Sequence, residues 1–217
     1  MADQIRSAIL AGTMSSGERL PPERELARQF GVSRASVREA LRHLQAQGLV
    51  SAGGRTSPLQ MAGSEQAASR FREALTHVVQ LQGVSQADLV ELRIAIETTA
   101  LIRAAAAPVP GALEEARAAL AIMERSDVLG AEFHAADVAF HLALVSASGN
   151  QALLLVMQAV KDAIRTNLDE ALSVRSLAKL RPKIVSEHRA LLRSIERGAG
   201  QAAATQLRRH LQEFYGA

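Results

Sequence analysis

The stretch Leu20–Val50, LPPERELARQFGVSRASVREALRHLQAQGLV, decides how the chain reads. Two short apolar-periodic segments flank Gly31-Val32-Ser33. The first follows Pro21-Pro22, where the fixed φ of proline suits an opening helical turn. It runs from Glu23 to Phe30 and offers Leu26, Ala27 and Phe30 to a core. Gly31 ends it. Ser33 is placed to cap the second segment, which carries Val37, Ala40, Leu41 and Leu44 at helical spacing. Gly48 suits a left-handed stop after it. Helix, glycine-bearing turn and helix together predict a helix-turn-helix. On the second helix Arg34 and Arg38 are four residues apart and share a face, away from Val37, Leu41 and Leu44. An arginine fork matches O6 and N7 of guanine in a major groove, or a phosphate. Arg24, at the start of the first helix, offers the same chemistry, and Ser33 and Ser36 offer hydroxyl donors for phosphates. The plainer reading, solvated surface arginines, holds for any one of them. It is weaker for three grouped around one turn.

Charge places this segment in context. Residues 1–60 hold eight arginines against five acids, and the remaining chain balances seventeen basic against seventeen acidic residues. The whole net charge of +3 therefore sits in the first quarter of 217 residues. A basic head on a neutral body suggests a polyanion-binding module with a separate second role. Only six residues are aromatic and tryptophan is absent, which disfavours single-strand binders that stack bases on aromatic platforms. Cysteine is absent too, which excludes thiolate metal sites and disulfides and fits a reducing cytosol. No stretch approaches the ~20 apolar residues of a membrane span, and the start MADQIRSAIL is too polar for a signal peptide. The expected location is the cytoplasm, at the DNA.

Helix 3–10 precedes the head and a short hairpin follows it between Gly48 and Met61, so 1–62 is expected as a winged helix-turn-helix. Residues 63–68 are expected as a linker. Beyond it, 69–217 reads as seven amphipathic helices, roughly 69–82, 85–106, 111–125, 130–148, 150–171, 176–197 and 200–214, separated by glycine and proline signals. The fold class is thus mostly α, with a C-terminal bundle large enough to hold a ligand.

Six histidines are candidates for chemistry. Asp137 and His141 lie four apart on one helix, and His188 and His210 lie on the last two. Three imidazoles and a carboxylate from three helices suit Zn²⁺, with Ni²⁺ or Mn²⁺ as alternatives. A lone bundle histidine is more often hydrogen-bonded or exposed than metal-bound, and His43, His77 and His134 read that way. Arg93, among Leu92, Ile94 and Ile96, needs an anion if buried. Glu97 at i+4 is one candidate and an effector carboxylate is the other. Arg165 and Asn167 are further pocket candidates.

The head resembles the GntR family of bacterial regulators at Gly17-Glu18-Arg19-Leu20-Pro21, Glu23-Arg24-Glu25-Leu26-Ala27, Val32-Ser33-Arg34, Val37-Arg38-Glu39-Ala40-Leu41 and Gly48-Leu49-Val50. The resemblance implies operator contacts by Arg24, Arg34 and Arg38, and a wing tip at Gly54 and Arg55 reaching the minor groove. The wing departs from the family pattern: Gly53-Gly54-Arg55-Thr56-Ser57-Pro58 lacks the usual second glycine, and Pro58 removes a ladder donor. Ala35 stands where many relatives have a hydroxyl. The C-terminal part resembles the FCD domain of the FadR branch at Glu91-Leu92-Arg93 with Glu97, Asp137-x-x-Phe140-His141, Ser148-Gly149-Asn150, Glu187-His188 and His210-Leu211. That resemblance implies metal ligation by Asp137, His141, His188 and His210. The expected function is a homodimeric transcriptional repressor on double-stranded operator DNA, released by a small carboxylate effector at or near a divalent metal. No enzymatic activity is expected. The alternatives are a hydrolase using the Asp/His₃ site, disfavoured because no H-E-x-x-H motif occurs, and a regulator with a purely structural metal.

Overall fold

The computed structural model describes residues 17–52, 59–128, 130–168 and 174–215. The expected helix 3–10 and the wing tip with Gly54 and Arg55 lie outside the described residues. The chain divides into two compact units, Met1–Phe71 and Arg72–Ala217.

In the first unit α1 spans Glu23–Phe30 and α2 spans Arg34–Ala46. Between them Gly31 takes φ 65°, ψ 33°, a left-handed conformation that costs glycine little, and its N–H bonds the Ala27 carbonyl. Ser33 caps α2, its Oγ accepting from the Ser36 N–H at 3.1 Å. Such a cap contributes about 1 kcal/mol. Strand β1, Val50–Ala52, pairs antiparallel with β2, Leu59–Met61, in the register Val50↔Met61, Ser51↔Gln60 and Ala52↔Leu59. Strand β2 is three residues long, and Pro58 lies outside the described residues. The chain before α1 joins this ribbon: Leu20 N–H bonds Leu59 O, and Met61 N–H bonds Glu18 O. Leu20, Leu26, Val37, Leu41, Leu44, Val50 and Met61 form the core.

Residues 63–68, expected as a linker, are helical from Ser64 onward, where α3 (Ser64–Gln82) begins. Gly63 N–H bonds Gln66 Oε1, and Ala67 N–H bonds Gly63 O. Small and polar composition suggested a linker, but Glu65, Gln66, Ala67 and Ala68 are also good helix formers, and propensity prevailed.

The remaining helices are α4 (Gln86–Ala106), α5 (Ala112–Glu124), α6 (Gly130–Ala147), α7 (Gln151–Leu168), α8 (Val174–Glu196) and α9 (Gly200–Tyr215). Helix α4 runs through the middle, packed on α9, α7, α6 and α8, while α5 packs on α6 and α8. A capping box starts α4: Asp88 N–H bonds Ser85 Oγ and Ser85 N–H bonds Asp88 Oδ2, each at 3.1 Å. Helix α6 ends where Ser148-Gly149-Asn150 makes a turn. Ser148 Oγ donates to Val145 O, and Asn150 Oδ1 accepts from the Ala152 and Leu153 N–H groups. Helix α9 approaches α4 so closely that a Cβ on Gly200 would lie 2.9 Å from the Ile102 Cα. Phe140, Leu101, Leu144, Met123, Leu191 and Leu207 are fully enclosed.

Candidate nucleic-acid interface and metal centre

In the first unit, the apolar side of α2 is consumed by the core, so Arg34, Arg38 and Arg42 fall together on its exposed side at four-residue spacing. Arg24 is exposed on α1. Among the described residues no acid forms an ion pair with Arg34 or Arg42. Arg38 has one, with Glu23 at the start of α1: Nη2 donates to Oε2 at 3.1 Å and Nε to Oε1 at 3.4 Å. Ser33 and Ser36 are exposed at the α2 N-terminus, with their hydroxyls 2.8 Å apart. A helix N-terminus with hydroxyls and a stripe of guanidinium groups suits a phosphate-bearing groove. Arg42 and Glu23 were not among the candidates from sequence. Arg42 was legible as the next i+4 step after Arg38. Glu23 was not, because its partner lies fifteen residues away across the turn.

In the second unit, α6 supplies Asp137 and His141, α8 supplies His188 and α9 supplies His210. One ligand atom from each lies within 4.8 Å of the others. The rings are enclosed: His188 is 0% exposed, His141 1% and His210 4%. Each ring spends its Nδ1 on a hydrogen bond. His141 Nδ1 meets Glu97 Oε2 at 2.6 Å, His188 Nδ1 meets the Ile184 carbonyl at 2.8 Å, and His210 Nδ1 meets Glu187 Oε2 at 2.6 Å. With Nδ1 donating, each neutral ring keeps its lone pair on Nε2. The buried Nε2 atoms of His141 and His188 have no hydrogen-bond partner. His188 Nε2 lies 2.9 Å from Asp137 Oδ1 and His141 Nε2 lies 4.0 Å from it. The shorter approach is misaligned for a hydrogen bond. A carboxylate oxygen facing a nitrogen lone pair is repulsive unless a cation sits between them.

The electrostatics favour the same occupant. Burial, and next the charges of His188 and His141, holds His210 down to about 3; burial also lowers His141. Neutral imidazoles are what metal ligation requires at ordinary pH. Asp137 is held well below the usual carboxylate range: burial pushes it up, but the contact with His188 and the charges of His188, His141 and Arg93 outweigh that. Burial likewise opposes the ionised form of Glu97, and the charges of His141 and Arg93 overcome it. Among the described residues Arg93 is the buried guanidinium that faces both carboxylates. Two ligands about 2.1 Å from a shared ion stand roughly 3–4 Å apart. The four ligand atoms here lie within 4.8 Å of one another, slightly wider than that. Three nitrogens and one oxygen suit zinc or a neighbouring divalent ion.

Arg93 is 5% exposed and is already engaged. Its Nε donates to Glu97 Oε1 at 2.5 Å and its Nη1 to the Tyr215 hydroxyl at 2.8 Å. Both anions open from sequence were Glu97 and an effector; the structure places Glu97 on one edge of the guanidinium. Arg165 and Asn167 lie on α7, their side chains outside the described ones. His43 and His77 are exposed and His134 is half-buried, none in the cluster. Glu187 and Tyr215 were missed from sequence as partners of the site. Glu187 stands beside the candidate ligand His188, but the ring it engages is that of His210, 23 residues away.

A model described as bacterial regulatory proteins of the gntR family matches residues 1–57, and a model described as the FCD domain matches 88–213. A protein of Escherichia coli strain K12, provisionally named as the L-lactate dehydrogenase operon regulatory protein, is 30% identical over 218 residues, covering 97% of this chain and 82% of its own. The HTH-type transcriptional regulator LutR of Bacillus subtilis strain 168 is 30% identical over 206 residues, covering 94% and 92%. The solved structure of Streptococcus agalactiae GntR superposes with a TM-score of 0.68 at 22% identity, over 100% of this chain and 98% of that one. That likeness speaks to the fold.

Proposed function

The chain belongs to the GntR family of bacterial regulators, with an FCD domain, and from that premise we propose that it represses transcription until a small organic acid binds beside a divalent metal. The observation that carries this reading is the convergence of Asp137, His141, His188 and His210, with every Nδ1 already engaged. An ion held there supplies a Lewis-acidic contact for a carboxylate. A small hydroxy acid is the favoured effector class, because the Escherichia coli relative is named for an L-lactate operon. Arg93 contributes a cation whose third nitrogen is not spoken for by Glu97 or Tyr215, and Arg165 and Asn167 are retained as pocket residues. Arg24, Arg34 and Arg38, with Ser33, Ser36 and the tip residues Gly54 and Arg55, form the operator contacts. A homodimer on a two-fold operator is the expected assembly. An effector can lower operator affinity only by its differential binding to the two states.

The test combines metal analysis, selection of bound duplexes from a random library, and titration of hydroxy acids into the resulting complex. Expected are about one divalent ion per chain, a defined operator, and its release by at least one acid. An operator bound equally well with Arg34→Ala and Arg38→Ala would sink the reading of the head. Turnover of an acid by the loaded protein would favour a hydrolytic role instead.

A further inference from the structure

Arg38 is the one arginine of the α2 stripe with an acid against it among the described residues, and the acid comes from the other helix of the pair. The contact has a direction. Glu23 covers the Nε and Nη2 side of the guanidinium, one carboxylate oxygen on each. Of the five N–H donors of an arginine, two are used; of the three left, one on Nη1 and one on Nη2 lie side by side along the Nη1–Nη2 end, and the third points back along the Cδ side of Nη1. That end is a complete fork of the kind that pairs with O6 and N7 of guanine or with two phosphate oxygens. The side chains are 58% and 37% exposed, so the pair adds little to stability and is not a staple of the fold. Its effect is on freedom. An unheld surface arginine loses several rotamers when it docks; one already clamped from behind has lost them beforehand.

We propose that Glu23 is a positioning residue for sequence reading, holding the side edge of Arg38 so that the opposite edge meets a base. This rests on the head being a DNA reader. Glu23 is also drawn toward the stripe as a whole: its hydrogen bond with Arg38, and the charges of Arg38, Arg34 and Arg42, keep its carboxyl below the usual range. It therefore stays ionised at any ordinary pH. A negative charge near a phosphate backbone lowers affinity for DNA in general. Positioning and charge thus push in opposite directions, and this separates them experimentally.

The experiment compares the full chain with Glu23→Gln, Arg38→Ala and the double variant, on the selected operator, on operators altered one base pair at a time, and on unrelated duplex. Circular dichroism melting checks that each variant folds. Glu23→Gln is expected to lose about five- to twentyfold in operator affinity while its affinity for unrelated duplex holds or rises. Its preference should flatten at one guanine, the same position that Arg38→Ala flattens, and the double variant should be no weaker than Arg38→Ala alone. A gain in affinity on both DNAs would overturn the proposal, since Glu23 would then be masking Arg38. Equal loss on both DNAs, or no change on the operator, would overturn it as well. If the unaltered chain selects no operator at all, the reading of the head itself fails, and this outcome is distinct from the others.

Discussion

His210 carries a pH dependence that follows from its burial. Its folded pKa is about 3, against an ordinary value of 6.5. Between those values the unfolded chain binds a proton that the folded chain refuses, so stability falls as pH drops through that window. Above pH 6.5 both states are neutral and the effect vanishes. For metal-free protein the loss at pH 5 is about 2 kcal/mol from this group, and His141, lowered by burial, acts with the same sign. Melting curves between pH 5 and 7.5 should show it, and His210→Gln should flatten them. At Glu187, one-fifth exposed, the role is to aim the His210 ring. Glu187→Gln is expected to weaken metal binding by about tenfold, read by competition with a chromophoric chelator, with little change in melting of the metal-free chain. The four ligands were readable from the sequence as Asp137 and His141 at i+4 plus resemblance. Their acceptors were not: Glu97 and Glu187 reach rings 44 and 23 residues away, and no local pattern encodes that.

Helix boundaries were readable because glycine, proline and small polar residues mark most of them. Helices α4, α5, α6 and α9 begin and end within about two residues of the amphipathic segments, as turn chemistry at Ser85, Gly111, Gly149 and Gly198 requires. The start of α3 was misread because Ser64–Ala68 contains no breaker after Gly63, only residues equally at home in a linker or a helix. What packs on what was not readable at all. Gly200 reads locally as a turn residue, yet it opens α9 against the backbone of Ile102 and the side chain of Ala105. Alanine gains up to about 1 kcal/mol in helix propensity there. The added methyl meets the Ile102 carbonyl at 3.1 Å, and main chain cannot swing aside. Steric cost should win, so Gly200→Ala is expected to destabilise by about 1–3 kcal/mol in denaturant melts.

The whole molecule separates a charged head from a balanced body, and that division was plain in the sequence because charge needs no contact map to be counted. It predicts operator binding that weakens steeply with salt. Each phosphate neutralised adds about −0.9 to the slope of log affinity against log salt concentration. Arg42→Ala, which extends the stripe beyond the bases reached by the helix start, should reduce that slope by about one and weaken all sequences alike. Chelation should lower the melting temperature of the protein, more so the tighter the ion is held. The burial of the ligand rings has a last consequence in time rather than in affinity. Three histidines 0–4% exposed, drawn from α6, α8 and α9, would shield an ion held among them, with Asp137, 16% exposed, the more open side of the set. An ion seated there would leave slowly where its release needs the helices to loosen, which chelator-release kinetics would show as a rate that follows the opening of the bundle. A tenant that left so slowly would be a poor reporter of momentary metal supply. Under the proposed function, the fast variable at such a centre would be the acid that comes and goes on its Asp137 side.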